Sequence, residues 1–560
     1  MSWRLDPDLL PPGTFRPGAG AGGLDVVIPA EANIAADTVG RHAAGPRADH
    51  PALAFEDTDG KVHRTSYAEL DAQAARFAGY LRGIGVVPGD RIAIHSAQRP
   101  ETVVTHLAAY KLGAIAATVS QLTGPDTMRH ILADCGAKVV VTTDRIWERV
   151  RHAAPDGALE HVIVVGDPVA GERAFADCMA GPVDPVEPVR TRPGDPALLI
   201  YTSGSTGKPK GILHGHGILH ALNATIELFY NLELREPGRT LWTGADWAWI
   251  GGLNDVVFPA LTFGHTLMVT EHRYDPEWAL DFMARHGVSH ILLTPTALKR
   301  LVQVPRARQR FDLRLRTVFT GGESLPGEAH RALSEELGVV CNEGYGMSEV
   351  NQMIGNCQAL RPVKAGSMGW DFPGHRVSLV DDDGAPVPDG EVGEICVDRS
   401  DPSLFLGYWG RPDLTERMFL GDDLVRSHDL AVRDEDGYYW YQGRNDDLIK
   451  SAGFRIGPAE IEEALLRHPA VADSGVIGVP DAGDRGTVVK AFILLAEGQG
   501  ASDDLAEDIR QHVKARIGPY KQPRLIEFVD ALPTTATGKI SRAALRRKEA
   551  ERQDGAAASD

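Results

Sequence analysis

The sequence predicts an α/β fold in which parallel β-sheets are covered by helices, and it predicts more than one domain. From Leu53 to about Val165, short apolar runs alternate with segments of helical periodicity. This alternation is typical of parallel sheets that carry helices on both faces. The length of 560 residues exceeds what a single hydrophobic core supports.

Composition excludes several classes of partner. The net charge of −19 argues against a nucleic acid or an anionic membrane as partner. No apolar run approaches the length of a membrane span, and residues 1–6 lack the apolar core of a signal peptide. The five cysteines are scattered, so neither a disulfide framework nor a zinc site is expected. A reducing, cytoplasmic location is the expectation.

Individual elements follow from local patterns. Residues up to about Arg47 are rich in proline and glycine and predict an irregular arm. Ser66 and Glu69 form a capping box that begins a helix. Beyond it, the alternation predicts a helix at 101–112 and strands at 91–95, 114–119, 138–141 and 161–165. Prolines between Asp167 and Asp195 predict a connection.

The stretch from Tyr201 to Gly211 is the most informative part of the chain. It follows a buried-strand pattern and contains four serines and threonines, three glycines and two lysines. Glycines let backbone amides converge on one point, and hydroxyls and lysines add donors and charge, so the loop suits a polyphosphate. Pro209 stands where a Walker loop has a hydroxyl, so this is a different loop. The alternative is a surface loop of small polar residues.

Three further regions carry candidate site residues. Residues 241–252 hold three of the nine tryptophans; these are either core aromatics, as we expect for Trp242, or the wall of an apolar cavity. Residues 290–295 and 317–324 are strand-to-loop units, where functional groups of parallel sheets gather. His214, His216 and His220 are interpreted as polar residues at the start and on the surface of a helix, not as metal ligands.

The stretch Tyr201–Gly211 resembles the phosphate loop of the adenylate-forming, or AMP-binding, superfamily, which includes acyl-CoA synthetases, carrier-protein adenylation domains and luciferases. Further motifs of that superfamily follow in the same order, and the resemblance spans roughly Leu53 to Lys548. It implies an N-terminal AMP-binding domain at 1–444 with parallel sheets and a β-barrel-like subdomain. It also implies a hinge at 445–447 and a small, mobile α+β domain at 448–560.

The resemblance also implies which residues bind ATP. The nucleotide-binding set is Thr202, Ser203, Gly204, Ser205, Thr206, Gly207, Lys208, Gly322, Glu323, Ser324, Glu343, Gly344, Tyr345, Ser348, Asp429, Arg444, Gly453 and Arg455. Within it, Tyr345 stacks on adenine, Asp429 binds the ribose hydroxyls, and Arg444 reaches ribose or phosphate. The glycine loop of Gly453 and Arg455 is presented in the second step. Ser427 and His428 replace the usual Thr-Gly before Asp429, which puts the local turn in question.

Catalytic and hinge roles follow from the same matches. Lys539 is the adenylation lysine, and Thr206 and Arg444 act beside it. Glu349 holds Mg²⁺, because a carboxylate beside a triphosphate requires a cation. Asp446 is the residue about which the small domain swings.

Asp246 and Trp249 match the acyl-pocket segment of acetyl- and medium-chain acyl-CoA synthetases. The pocket is predicted from Trp247, Trp249, Ile250, Gly251 and Gly346. Acetate-restricted members have a tryptophan at the position of Gly346, so the predicted acid is larger than acetate, of short to medium length, branched or cyclic.

The implied reaction is a two-step ligation that uses ATP, Mg²⁺ and coenzyme A. The acid attacks the α-phosphorus of ATP to form an acyl-adenylate, and a thiol then displaces AMP. The alternatives are an acetyl-CoA synthetase and an adenylation enzyme that loads a carrier protein. A catalytically silent scaffold would be expected to lack Lys539 or Glu349, and both are present. Monomer and homodimer both remain open.

Overall fold

The protein is seen in a computed structural model, which describes residues 14–153, 159–169, 171–202, 208–447, 449–451, 454–480, 487–519, 521–534 and 540–557. Contacts divide the chain into two compact units. The larger comprises Met1–Val377 and Val397–Val425, and the smaller comprises Ser378–Cys396 and Arg426–Asp560. The predicted fold class, a large domain of parallel sheets and a smaller C-terminal domain, is confirmed. The smaller unit takes in residues before position 445, and the hinge at 445–447 stays a prediction.

The larger unit contains an eight-stranded sheet in its described residues, called sheet A below. Its strands, in spatial order, are Gly407–Tyr408, Lys210–Gly215, Pro196–Thr202, Ile115–Thr118, Arg91–His95, Val139–Thr143, His161–Val165 and Arg173–Ala174. The pairs from Pro196–Thr202 onward are parallel, and the first two pairs are antiparallel. Central strands are buried on both faces, which explains their continuous apolar runs.

A second sheet of nine strands in the described residues, called sheet B, also belongs to the larger unit. Its strands, in spatial order, are Trp370–Asp371, Asn351–Gly355, Cys341–Met347, Thr317–Gly321, His290–Leu292, Thr240–Thr243, Thr266–Thr270, Pro51–Glu56 and Val62–Ser66. The strands from Cys341–Met347 to Pro51–Glu56 run parallel, and the outer pairs are antiparallel.

Helices cover these sheets. The α-helices of the larger unit are Arg41–Ala43, Tyr67–Gly83, Pro100–Leu112, Pro125–Cys135, Asp144–Glu148, Phe175–Ala180, Ile218–Phe229, Ile250–Gly252, Phe258–Thr262, Pro276–His286, Pro295–Leu301, Ala307–Arg310, Gly327–Leu337 and Pro412–Glu416. Short 3₁₀ turns lie at Ala21–Gly23, Arg151–Ala153 and Glu233–Arg235, and π-helical turns lie at Ala36–Gly40 and Leu253–Val257. The Ser66–Glu69 capping box is confirmed: the Glu69 amide donates to Ser66 Oγ at 3.2 Å, and the Ser66 amide donates to Glu69 Oε2 at 2.8 Å.

The prediction of an irregular N-terminal arm was wrong, and the predicted connection between 167 and 195 holds short elements of its own. The N-terminal arm contains the paired strands Phe15–Pro17 and Leu24–Val26 and the helical turns at 36–43, because Ile34 and Val39 are fully buried and anchor it. The connection between 167 and 195 contains the strand Arg173–Ala174 and the helix Phe175–Ala180.

Among its described residues, the smaller unit contains a three-stranded sheet packed with three helices. The strands are Val471–Pro480, Thr487–Leu495 and Leu525–Val529, and the helices are Pro458–Leu466, Asp503–Ile517 and Arg542–Ala557. Ile449–Ser451 pairs with Phe454–Ile456, and a 3₁₀ turn covers Asn445–Asp447. A five-stranded sheet in the described residues has the order Val377–Val380, Val392–Asp398, Leu424–Arg433 and Phe419–Leu420, with Tyr439–Arg444 on Leu424–Arg433. Among the described residues, no helix is long and apolar enough to cross a membrane.

Candidate active site

The motif residues of the larger unit lie where parallel strands of sheets A and B end. In sheet B, Gly321 stands opposite Gly344, so the loop Gly322–Ser324 follows one strand next to the strand that carries Tyr345. The loop after Thr240–Thr243 in the same sheet carries the predicted pocket tryptophans. The carboxyl ends of parallel strands are where ligands bind in such sheets.

The predicted polyphosphate loop connects two paired strands of sheet A. Thr202 ends one strand, and Lys210 begins the next directly opposite it. Lys208 is exposed on the return side. The positions between them, Ser203, Gly204, Ser205, Thr206 and Gly207, lie outside the described residues.

Direct hydrogen bonds hold the edges of the two sheets together. Gln98 Nε2, after one strand of sheet A, donates to the Ala245 carbonyl at 2.6 Å. Ser120 Oγ, after the neighbouring strand, donates to Asp246 Oδ2 at 2.7 Å, and the Ala248 amide donates to Oδ1 at 3.0 Å. Burial raises the pKa of Asp246. Asp246 therefore holds the tryptophan loop against sheet A, a role that the sequence motif did not reveal.

Glu349 is brought to the phosphate-loop strands by a tyrosine that the sequence did not indicate. Tyr408 lies on the edge strand of sheet A, opposite Ile212, and its hydroxyl donates to Glu349 Oε1 at 2.5 Å. Lys210 Nζ stands 4.0 Å from the centre of the same tyrosine ring, within cation–π range. No motif marks Tyr408, and its distance from Glu349 along the chain hides the contact.

A buried histidine makes a second link to this motif. His214 Nε2 donates to the Ser348 carbonyl at 2.7 Å. Burial lowers the pKa of His214 to about 4, so the ring is neutral and carries its proton on Nε2. His214 is on strand Lys210–Gly215, and His216 follows it; both are buried, so the expectation of surface positions was wrong for these two histidines. Ser348 itself is half-buried.

The carboxylate of Glu349 suits a magnesium ion that takes its other ligands from a nucleotide. No described residue donates a hydrogen bond to Glu349 Oε2. The described part of the chain holds no cluster of three or more histidine, cysteine or carboxylate side chains that could form a complete metal site. Magnesium is commonly bound by one or two carboxylates together with substrate phosphates, so the residues present fit the ion.

Part of the predicted adenine segment has a positioning role. Glu343 is buried and its Oε1 accepts a hydrogen bond from the Leu325 amide at 3.1 Å, which ties the Gly322–Ser324 loop to strand Cys341–Met347. Gly322 has φ of 85°, a left-handed conformation that favours glycine. Glu323 Oε2 accepts a hydrogen bond from Thr296 Oγ1 at 2.9 Å. The loop conformation is thus fixed by its neighbours.

Gly344 is required by packing. A Cβ at this position would stand 2.3 Å from Phe229 Cε1, and one at Gly355 would stand equally close. The Phe229 ring packs on Phe319 and Phe372, with centroids 4.1 and 4.6 Å away. Any side chain at either glycine would displace this aromatic group. Tyr345, next in the strand, is buried.

The predicted acyl-pocket glycines differ in their surroundings. Outside its own helix, a Cβ at Gly251 would meet Asp255 Oδ2 at 3.5 Å and no other described atom within 4 Å, so the described residues leave space there. A Cβ at Gly252 would stand 2.7 Å from the Asp246 carbonyl, and one at Gly346 would stand 1.9 Å from the Asn351 carbonyl. A side chain at Gly346 would therefore point at the backbone of the neighbouring strand, which corrects the expectation that a tryptophan could close the pocket there.

The other predicted pocket residues lie on the same loop. Trp249 and Ile250 are half-buried, at the start of the helix Ile250–Gly252, and Trp247 is buried. These side chains flank the open position at Gly251 in the chain, so their assignment to the pocket stays a prediction.

In the smaller unit, the predicted ribose residues lie on adjacent strands. Asp429 stands opposite Arg444 in the strand pairing, and Arg444 Nη1 is 3.7 Å from Asp429 Oδ1. The Tyr441 hydroxyl donates to the same oxygen at 3.1 Å. His428 has φ of 61°, the left-handed conformation that glycine adopts readily. The local turn is thus retained although histidine replaces glycine.

The remaining predicted residues cannot be placed in the site. Gly453 and Lys539 lie outside the described residues, as do the side chains of Asp446 and Arg455. Near the lysine motif, Arg542 contacts Asp447 and Glu462, with nitrogen–oxygen distances of 3.3 and 2.5 Å. These pairs connect the residue after Asp446 to the helix that follows the motif.

Comparison with known proteins identifies the family. Residues 40–409 match the AMP-binding enzyme family, and residues 460–539 match the AMP-binding enzyme C-terminal domain. The chain is 34% identical over 530 residues to the benzoate–CoA ligase of Thauera aromatica, covering 93% of this chain and 97% of that protein. It is 34% identical over 526 residues to an acetyl-coenzyme A synthetase of Bacillus subtilis, covering 92% and 90%. A crystal structure of an anthranilate CoA ligase in complex with anthranoyl-AMP superposes with a TM-score of 0.83 at 30% identity, covering 94% of this chain and 99% of that one.

Proposed function

Because the chain belongs to the AMP-binding enzyme family, and within it to the acyl-CoA ligases, we propose that it joins a carboxylic acid larger than acetate to coenzyme A. ATP and Mg²⁺ serve the reaction. The acid is of short to medium length, branched or cyclic.

The main structural support for this reaction is that Glu349 lies beside the strands that flank the phosphate loop. Tyr408, on the strand next to Lys210–Gly215, donates a hydrogen bond to the carboxylate, and Lys210 lies against the ring of the same tyrosine. This arrangement supports a site in which Glu349 holds a magnesium ion bound to ATP. The ion would neutralise charge that builds on the phosphoryl oxygens as the carboxylate of the acid attacks.

The open position at Gly251 supports an acid larger than acetate. Outside its own helix, an added Cβ would have one neighbour among the described residues, which supports room for a substrate beside the helix that begins at Ile250. Each methylene of a substrate buried in such space gains about 0.8 kcal/mol. Support from relatives is divided, since one matched protein is an acetyl-coenzyme A synthetase and another a benzoate–CoA ligase.

A panel of carboxylic acids, scored for AMP formation with and without coenzyme A, tests the proposal. We expect AMP formation that depends on both coenzyme A and an acid of more than two carbons. A preference for acetate would favour the acetyl-CoA synthetase alternative. AMP release that needs a carrier protein in place of coenzyme A would favour the carrier-loading alternative.

A further inference from the structure

A buried polar group adjoins the predicted acyl pocket and has no role in the chemistry described above. It lies on the π-helical turn Leu253–Val257 and on the neighbouring strand Asn351–Gly355. The group consists of Asn254, Asp255, Asn351 and Gln352, and is called the polar group below. π-Helical turns inside α-helices often occur at functional sites, and this one begins two residues after Gly251.

Asp255 is the acidic member, and one of its oxygens borders the open space. The side chain is 4% exposed, and Asn351 Nδ2 donates to Oδ1 at 3.1 Å. The other oxygen, Oδ2, would stand 3.5 Å from a Cβ added at Gly251, and outside the local helix no other described atom lies within 4 Å of that Cβ. A ligand that occupies the space beside Gly251 would therefore meet Oδ2.

The amides of this group make the second observation. Both polar side-chain atoms of Asn254 are buried and have no hydrogen-bond partner among the described residues, whereas the Gln352 amide lies against the Asp255 carboxyl and interacts with it. Gln352 stands opposite Gly346 in the strand pairing, so it is next to the other glycine of the predicted pocket. Buried amides without partners cost stability, and such groups in a native protein call for an explanation.

Burial also affects the acid–base state of Asp255. It raises the pKa of this carboxyl to about 7, against the side-chain hydrogen bonds from Asn351 and Gln352, which lower it. No described cation pairs with Asp255. A carboxyl in such surroundings is best matched by a ligand group that donates a hydrogen bond to it.

We propose that the acid accepted by this chain carries a hydroxyl or amino group at the end remote from its carboxylate, and that Asp255 accepts a hydrogen bond from that group. The inference rests on the proposed function, and it refines the size prediction by adding a polar substituent to the acid. Gln352 and Asn254 supply further donors and acceptors around the same substituent. An acid without a hydroxyl or amino group at that end would not form this hydrogen bond with Asp255.

Pairs of acids that share a carbon skeleton, with and without a terminal hydroxyl or amino group, test the inference. We expect the donor-bearing member to have at least tenfold higher kcat/KM for coenzyme A-dependent AMP formation, because sites built for a hydrogen bond reject analogues that lack it. Equal or better use of the unsubstituted acids would show that the polar group holds only water, and would overturn the inference. Absence of AMP formation with every acid would instead overturn the proposed function.

Gly251→Ala provides a variant that acts on this contact. The new methyl would stand 3.5 Å from Asp255 Oδ2, between the carboxyl and the space, without a clash. We expect the kcat/KM ratio of donor-bearing to unsubstituted acid to fall tenfold or more, and an unchanged ratio would contradict the inference. Gly83→Ala is the matched control, because its Cβ meets nothing within 4 Å at the end of helix Tyr67–Gly83.

Asp255→Asn distinguishes the two donors. An asparagine carbonyl can still accept from a hydroxyl, whereas it loses the charge that favours an ammonium group. If the substituent is a hydroxyl, part of the preference survives, and if it is an amino group, the preference is lost. A preference retained in full for both would contradict the contact with Asp255.

Discussion

The hydrogen bond between Tyr408 and Glu349 allows a quantitative prediction about the first half-reaction. Tyr408→Phe removes the hydroxyl that donates to Glu349 Oε1 at 2.5 Å, and keeps the ring that lies 4.0 Å from Lys210 Nζ. A hydrogen bond to a charged group contributes about 1.5–3 kcal/mol. Since about 1.4 kcal/mol corresponds to a tenfold change in rate, kcat/KM for acyl-adenylate formation should fall roughly ten- to hundredfold.

The assay is ATP–pyrophosphate exchange measured at increasing Mg²⁺ concentration. We expect the variant to need more Mg²⁺, because Glu349 loses the contact that orients its carboxylate. Conversion of supplied acyl-adenylate and coenzyme A to thioester should be unaffected, since that step needs no triphosphate. Tyr274→Phe is a matched control, because its hydroxyl donates at 2.7 Å to the Ala297 carbonyl and to no carboxylate.

Two results would refute this reasoning. An exchange rate within twofold of the unaltered enzyme, at the same Mg²⁺ requirement, would mean that Tyr408 does not position Glu349. An equal loss in Tyr408→Phe and Tyr274→Phe would mean that the effect is one of general stability.

Three further predictions concern the lysine, the hinge and the pH dependence of stability. Lys539→Ala should slow adenylation by roughly a hundredfold or more and spare thioester formation from supplied acyl-adenylate; equal loss of both steps would contradict its assignment. Asp446→Pro fixes φ at the hinge, so thioester formation should fall far more than pyrophosphate exchange, and an unchanged overall rate would place the hinge elsewhere. Burial lowers the pKa of six histidines to about 3 or 4, so they stay neutral in the folded protein and bind protons on unfolding below about pH 6.5; they are His95, His106, His214, His216, His265 and His290. Two buried carboxyls, Glu227 and Asp255, act in the opposite sense because burial raises their pKa to about 7. These eight groups together should take up about three to four protons on unfolding near pH 5.5, so the urea midpoint should fall as pH drops from 6.5 to 5, and a midpoint independent of pH would contradict this.

Local signals in the sequence predicted the elements that local interactions determine. Strand Arg91–His95 and the capping box at Ser66 appear where the pattern put them. The phosphate loop itself stays a prediction, but the strand before it, Pro196–Thr202, lies where the apolar run predicted a buried strand. Apolar periodicity and capping depend on neighbours in sequence, which explains these successes.

Contacts between distant parts of the chain could not be predicted in this way. Tyr408 reaches Glu349 through the addition of a short strand to sheet A, for which the sequence has no motif. The carbonyl of Asn351 faces Gly346 because the antiparallel pair shifts register between Tyr345 and Gly346. That register is a property of the folded sheet, so the obstacle to a side chain at Gly346 was not visible beforehand.

The aromatic group around Phe229 limits how substrate range can be changed by directed evolution. Libraries that vary Gly344 or Gly355 would mostly yield insoluble protein, because any new side chain there meets the Phe229 ring at 2.3 Å. Diversity is better placed at Gly251, where a small side chain has room. Gly344 and Gly355 are therefore required by the packing of the core, whereas Gly251 is the position at which a substitution can change which acid is accepted.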